Sequence, residues 1–215
     1  YLRGFLSDIQ TYHFHDTSAT SMLRRDCDLH DNDYLKTDGR NLPAFLFYLK
    51  EEHPKLYKRI EKTIKSIAPY IDKFILQPKK LNKNEIELRW IEKGDSESSF
   101  NAYQFSDGTL RFIALATVLM QPEPPKVIVI DEPELGLHPN QQVKLMSYLR
   151  AVSEDKQVIL TFEPSELDIE NSFFWVAPQI ITATAAGYVS AVLLGIRPIY
   201  GYNTSNDLSS VDEIV

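Results

Sequence analysis

The chain has 215 residues, enough to bury a core within one domain, and its apolar and charged fractions are ordinary for a globular protein. A formal net charge of -7 argues against a broad basic surface for nucleic acid and leaves room only for a local patch. One cysteine, Cys27, excludes an internal disulfide and any multi-cysteine metal site, and fits a reducing, cytoplasmic setting.

No initiator Met and no signal-peptide pattern opens the chain, so it reads as starting inside a longer protein. Residues 9–15 read as a strand. In it His13 and His15 share a face, with Asp16 just beyond. The pair is able to bind a metal but reads as a hydrogen-bonded strand pair. Residues 24–40 are polar and read as a loop. Its acids, Asp26, Asp28, Asp31 and Asp33, lack the glycine and terminal glutamate of a calcium loop and read as solvated. Arg24 and Arg25 can meet phosphate or DNA, but the expected place for both is the surface.

Asn41 is expected to cap a helix with Pro43 in its first turn and Leu42, Phe45, Leu46 and Leu49 on one face. Pro54 opens a second helix, with Leu56, Ile60, Ile64 and Ile67 at helical spacing. Residues 71–76 and 86–91 read as strands of a β-hairpin or meander, joined through the polar stretch 79–84. Residues 105–120 read as a loop and an apolar helix. The β-branched run Val127-Ile128-Val129-Ile130 reads as a buried parallel strand. Pro139 opens a further helix, with Val143, Met146, Leu149 and Val152 expected on its buried face. Residues 158–160 read as one more buried strand. Helix, strand, helix, strand over residues 107–161 is an α/β pattern with a parallel sheet. From Asn171 to Asn206 the only charged residue is Arg197. The uncharged stretch 173–196 has membrane-spanning length, but Pro178, Gly187 and Gly195 interrupt it. It is read first as buried elements finishing the domain, ahead of a tail foreign to the fold and, last, a membrane span.

Three motifs carry chemistry. Ser106-Asp107-Gly108-Thr109 precedes a helix, where a hydroxyl and unpaired amides suit a phosphate; a plain N-cap is the alternative. Asp131 and Glu132 end a buried strand, where open α/β sheets bind ligands. Neighbouring strand residues face opposite sides, so one acid can hold Mg²⁺ and the other can polarise water. An acidic loop start is the other reading. Glu134-Leu135-Gly136-Leu137-His138-Pro139 follows, with Gly136 permitting an unusual turn and Pro139 starting a helix.

In this order the motifs resemble the ABC ATPases of the SMC/RecF/OLD-like superfamily. Ser106 to Thr109 look like the signature loop, Ile130-Asp131-Glu132 like Walker B with its catalytic glutamate, and Glu134 to His138 like the D-loop. Tyr12 to Ser18 and Asn41 to Leu46 are similar to bacterial ATPases of this group. The resemblance implies a partial P-loop NTPase fold of ABC type: a parallel core sheet, a helical insertion and a small β-hairpin. It places that domain in residues 1–165 and leaves 166–215 as an atypical tail. It implies ATP and Mg²⁺, and a head-to-tail homodimer gated by ATP. Ser106 and Gly108 would meet the γ-phosphate held by the partner subunit. Asp131 would support Mg²⁺, Glu132 would be the general base, and Glu134, Gly136 and His138 would form the D-loop. DNA, or an effector nuclease or toxin, is the implied partner, in DNA repair, DNA maintenance or phage defence, with no membrane.

Two departures stand out. No Gly-x-x-x-x-Gly-Lys-Ser/Thr occurs, and the family places it ahead of the region matching Tyr1, so the chain alone is not expected to turn over ATP. After the last strand the family carries Thr or Ser and then His or Gln, whereas here Thr161-Phe162-Glu163-Pro164 stands. The class-different alternative is a degenerate ATPase fold serving as a dimerisation or binding platform. A transporter ATPase is disfavoured by Gly-Leu-His-Pro and by the missing His switch.

Overall fold

The computed structural model describes residues 8–161. The tail and the residues after Thr161 lie outside the described residues, and so do the expectations for them. The fold is α/β, as expected. Its centre is a three-stranded parallel sheet in the order β1 (Ile9–Tyr12), β7 (Val127–Asp131), β8 (Gln157–Thr161). β7 takes the middle because it is β-branched throughout its first four residues; Ile128 and Ile130 are fully buried. Every residue of β8 is half-buried, against the buried strand expected over residues 158–160, because β8 is an outer strand of the sheet among the described residues.

The strand that residues 9–15 predict is cut short. After Tyr12 the His13 amide turns to Thr37 O at 2.9 Å, and the ladder stops. His13, Phe14 and His15 therefore leave the sheet at its carboxyl end.

Two helices follow a long loop: α1 (Leu42–Glu52) and α2 (Pro54–Ile67). Asn41 does not cap α1 with its side chain. Its amide nitrogen donates to Asp31 O (2.9 Å) and Tyr34 O (2.8 Å), and its oxygen accepts from Lys36 N (2.8 Å). Fully buried, it staples the preceding loop, which competes with the cap for the same side chain. An antiparallel sheet comes next, with order β3 (Ile71–Ile75), β5 (Arg89–Glu92), β6 (Asp95–Asn101). β6 is absent from the sequence reading because it is mostly polar, without apolar alternation; Gly94, at φ +88°, makes the turn into it. Loop residues Cys27–Asp28 (β2) pair with Glu85–Ile86 (β4). Trp90 stacks on Phe100 and Phe105 with ring centroids 4.7 and 5.1 Å apart, tying this sheet to the loop ahead of the next helix.

That helix, α3 (Asp107–Met120), is the core of the molecule. Every residue from Gly108 to Met120 is buried, which is what an all-round apolar helix requires. It packs between α2 and α4 (Pro139–Ser153). On α4 the buried residues are Gln141, Leu145 and Leu149, and Val143 is 72% exposed, against expectation. A row spaced by three drifts about 60° per step around a helix, so Val143 and Leu149 cannot share a face; spacing by four keeps Gln141, Leu145 and Leu149 together. No helix among the described residues is long and apolar enough to cross a membrane.

Burial is the main cause that pushes the Cys27 thiol up to about 11. Its alkylation at pH 8 is expected to run on the order of a hundredfold slower than in the urea-unfolded chain, because the thiolate is the nucleophile. Equal rates in the two states would show that the thiol is not shielded.

Candidate functional site

The carboxyl ends of the three parallel strands place His13, Asp131 and Thr161 in one row. Asp131 is paired in register with Thr161, and His13 follows Tyr12, the partner of Ile130. The Thr161 hydroxyl donates to Asp131 Oδ1. His13 Nδ1 lies 3.3 Å from Asp131 Oδ2, and His15 Nε2 lies 3.6 Å from the same oxygen. The Thr161 hydrogen bond holds the Asp131 carboxyl below the usual range; burial works against this, and the His13 hydrogen bond and the two histidines' charge add to the lowering. Its ionisation thus favours the folded chain above the unfolded-state pKa, and that contribution is lost as pH falls through the lowered folded value.

Glu132 leaves the sheet in a left-handed conformation, φ +43°, and is the one such non-glycine residue among those described. Such backbone costs about 1–3 kcal/mol and persists where its surroundings hold it. The Glu132 amide donates to Thr161 O at 3.0 Å, which continues the β7–β8 pairing by one bond. Both histidines are hydrogen-bonded, as read, but not on a strand: β1 ends at Tyr12, their rings meet Asp131, and the two rings lie edge to face with centroids 6.3 Å apart.

The Ser106 loop is a capped helix start. Ser106 Oγ accepts from Thr109 N at 3.2 Å and donates to Thr109 Oγ1 at 2.9 Å. Ser106 and Asp107 are exposed, while Gly108 is buried. The reason is the neighbouring loop: a Cβ on Gly108 would stand 2.4 Å from Gly136 O and 3.2 Å from Gln141 Oε1. Gly136 itself has φ +69°. His138 caps α4, its Nδ1 accepting from Asn140 N at 3.3 Å while Gln141 Oε1 accepts from His138 N at 2.9 Å. The structure thus packs Gly108 on Gly136. Among the described residues no hydrogen bond joins Ser106 to Asp131 or Glu132. Glu134 is partly buried beside them.

Two arginines organise these loops, and the surface place expected for Arg24 is wrong. Arg24 is buried and donates to Thr17 O (2.7 Å), Ala102 O (2.6 Å), Phe105 O (3.1 Å) and Asp107 Oδ1 (2.6 Å). It fixes the Ser106 loop against the segment after His15. Arg25 remains exposed. Arg111, unnoticed in the sequence reading, is buried on α3 and donates to Phe14 O and His15 O, each at 2.8 Å, and to Leu135 O. Its signal was there: Arg111 is the only charged residue between Asp107 and Met120.

Gly108→Ala weighs two effects. Alanine gains about 1 kcal/mol of helix propensity, but overpacking against backbone costs roughly 1–3 kcal/mol. With Gly136 O at 2.4 Å, the clash is expected to win, lowering stability by on the order of 1 kcal/mol in urea titration. An equally or more stable variant would show that the two loops are not in contact.

Comparison with known proteins agrees with the α/β fold. Residues 11–161 match the AAA-domain family described by the AbiEii toxin of a type IV toxin–antitoxin system. An ABC transporter ATP-binding protein of Clostridium acetobutylicum is 31% identical over 96 residues, covering 42% of this chain and 33% of that protein. An energy-coupling factor transporter ATP-binding protein of Staphylococcus epidermidis is 36% identical over 74 residues, covering 33% of this chain and 25% of that protein. The matched part thus spans a third or less of either relative's length. The chain belongs to the AAA-domain family, among the P-loop ATPases of ABC/AAA type.

Proposed function

We propose that the carboxyl edge of β1, β7 and β8 is the acid half of an ATP-hydrolysing site. The observation that carries this is the Asp131–Glu132 pair at the end of the central parallel strand, one acid kept ionised by its neighbours and the other turned off the sheet. The donor set fits Mg²⁺, which takes one or two carboxylates and otherwise water and phosphate oxygens. Asp131 would hold the ion, whose chemistry is to neutralise charge on the phosphates. Glu132 accepts a proton from the attacking water and is the catalytic residue of this chain. The phosphate-binding loop is absent from this sequence and comes, in this reading, from a segment preceding Tyr1. The half-exposed β8 offers an edge along which a further parallel strand fits.

The exposed Ser106 and the first-turn amides of α3 suit a phosphate brought by a second copy of the protein. The packing of Gly108 on Gly136 then makes the signature loop and the D-loop of each copy one surface of a head-to-tail dimer, with Glu134, Gly136 and His138 at its edge. ATP closes the dimer and hydrolysis opens it. We assign residues 1–165 to this domain, 166–215 to an atypical tail, and the work to DNA repair, DNA maintenance or phage defence, in the cytoplasm, with DNA or an effector nuclease or toxin as partner. Of these, the toxin alone has support in the description of the family, which refers to a type IV toxin–antitoxin system. The names of the two relatives support a transporter ATPase as the second reading.

In the polypeptide that carries the P-loop, Glu132→Gln is expected to lower hydrolysis by about 10²–10⁴-fold while retaining ATP and accumulating the closed dimer. Ser106→Arg is expected to block closure with ATP binding to the single subunit intact. Steady-state turnover, filter binding and light scattering read these. Wild-type turnover in Glu132→Gln would remove Glu132 from the role of base.

A further inference from the structure

The peptide joining Asp131 to Glu132 is held at both of its polar atoms. Its carbonyl oxygen lies 3.0 Å from His15 Nε2, and its amide donates to Thr161 O at 3.0 Å. A carbonyl oxygen only accepts, so His15 Nε2 carries a hydrogen in this arrangement. The residue that follows this peptide is Glu132, in its left-handed conformation. Backbone of that kind relaxes unless its neighbours hold it, and here one side of the peptide is held by a main-chain strand and the other by one imidazole.

His15 is itself held. It has left the sheet, so no ladder fixes it; the Arg111 guanidinium does, through the carbonyls of Phe14 and His15. The third donor of Arg111 goes to Leu135 O, three residues beyond Glu132. One buried cation therefore sets both the imidazole that grips the peptide and the loop into which Glu132 leads. His13 differs: its ring meets the Asp131 carboxylate and not the peptide.

We propose that His15, held by Arg111, is a positioning residue for hydrolysis: its Nε2–H grips the Asp131 carbonyl and so keeps the Glu132 backbone where its carboxylate can meet the attacking water. This rests on Glu132 being the general base. His15 Nε2 also stands 3.8 Å from Glu132 Oε2, so a purely electrostatic role for a protonated ring is the competing account. Glutamine separates the two. Its amide nitrogen reaches about as far as Nε2 and donates a hydrogen bond, but it carries no charge.

The test has two arms. In the P-loop-bearing polypeptide, His15→Phe keeps a ring and loses the donor; kcat is expected to fall about 10–10²-fold, since a misplaced catalytic group costs that much. KM for ATP is expected to stay within about threefold, because binding energy used only in the transition state is what is lost. His15→Gln is expected to restore most of kcat. In the 215-residue chain, long-range proton–nitrogen NMR of the imidazoles is expected to show His15 in the Nε2–H form, and His15→Phe to speed amide exchange at Glu132 while leaving α3 protected. A His15 ring protonated only at Nδ1, a Phe variant with wild-type kcat, or a Gln variant as slow as Phe would each overturn the proposal. A wild-type protein that hydrolyses no ATP would instead sink the ATPase reading, with the NMR arm still deciding whether His15 grips the peptide.

Discussion

A guanidinium buried on an apolar helix has to replace its lost water with hydrogen bonds, or the helix cannot bury it. Arg111 meets that demand with three main-chain carbonyls from two different segments. Burial pulls its pKa down from the usual arginine value, while the charges of Asp107, Glu132 and Glu134 work the other way. Because all three acceptors are backbone, the constraint falls on chain path and not on side-chain choice. The segment of Phe14 and His15 and the loop of Leu135 must both pass within reach of the one guanidinium. That places the histidines at the end of β1 within reach of the acids at the end of β7. Arg24 does the same for the loop at the start of α3, binding Thr17, Ala102 and Phe105 through their carbonyls.

The site's electrostatics follow from that geometry. Two carboxylates in sequence would repel each other and any phosphate. A hydroxyl from β8 and an imidazole from the end of β1 offset this at Asp131, and His15 Nε2 lies near both acids, 3.6 Å from Asp131 Oδ2 and 3.8 Å from Glu132 Oε2. The packing of Gly108 on the Gly136 carbonyl then joins the loop before α3 to the loop after the acids. No side chain fits at Gly108 without displacing the Gly136 carbonyl, so the two loops lie in direct contact. In the proposed reading, this contact is what would link the acid site to the surface offered to a second copy.

Features decided by local chemistry could be read in the sequence. The β-branched run 127–130, the prolines opening two helices and the apolar stretch after Gly108 each specify their element within a few residues, and each is found where expected. The acids and the two loops were also legible, as ordered motifs. What the sequence hid depends on distant partners. β6 is polar and exists because β5 pairs with it; Asn41 looks like a cap and is a staple; His13 and His15 look like a strand pair and meet residues more than a hundred positions away. Val143 lies outside the buried face because Gln141, Leu145 and Leu149, spaced by four, define it, and not the row spaced by three. Arg111 left a trace, a single cation in an apolar helix, though nothing local reveals which carbonyls it takes.

The central claim is that the ends of β7 and β8 receive the triphosphate's reacting end. A crystal structure of the P-loop-bearing polypeptide with Mg²⁺, ADP and a γ-phosphate mimic tests it most directly. The account predicts the metal's water shell at the Asp131 carboxylate and a water within about 2.6–3.2 Å of the Glu132 carboxylate, in line with the mimic. A nucleotide bound away from the carboxyl edge of the parallel sheet, or a Glu132 carboxylate directed away from that water, would contradict it.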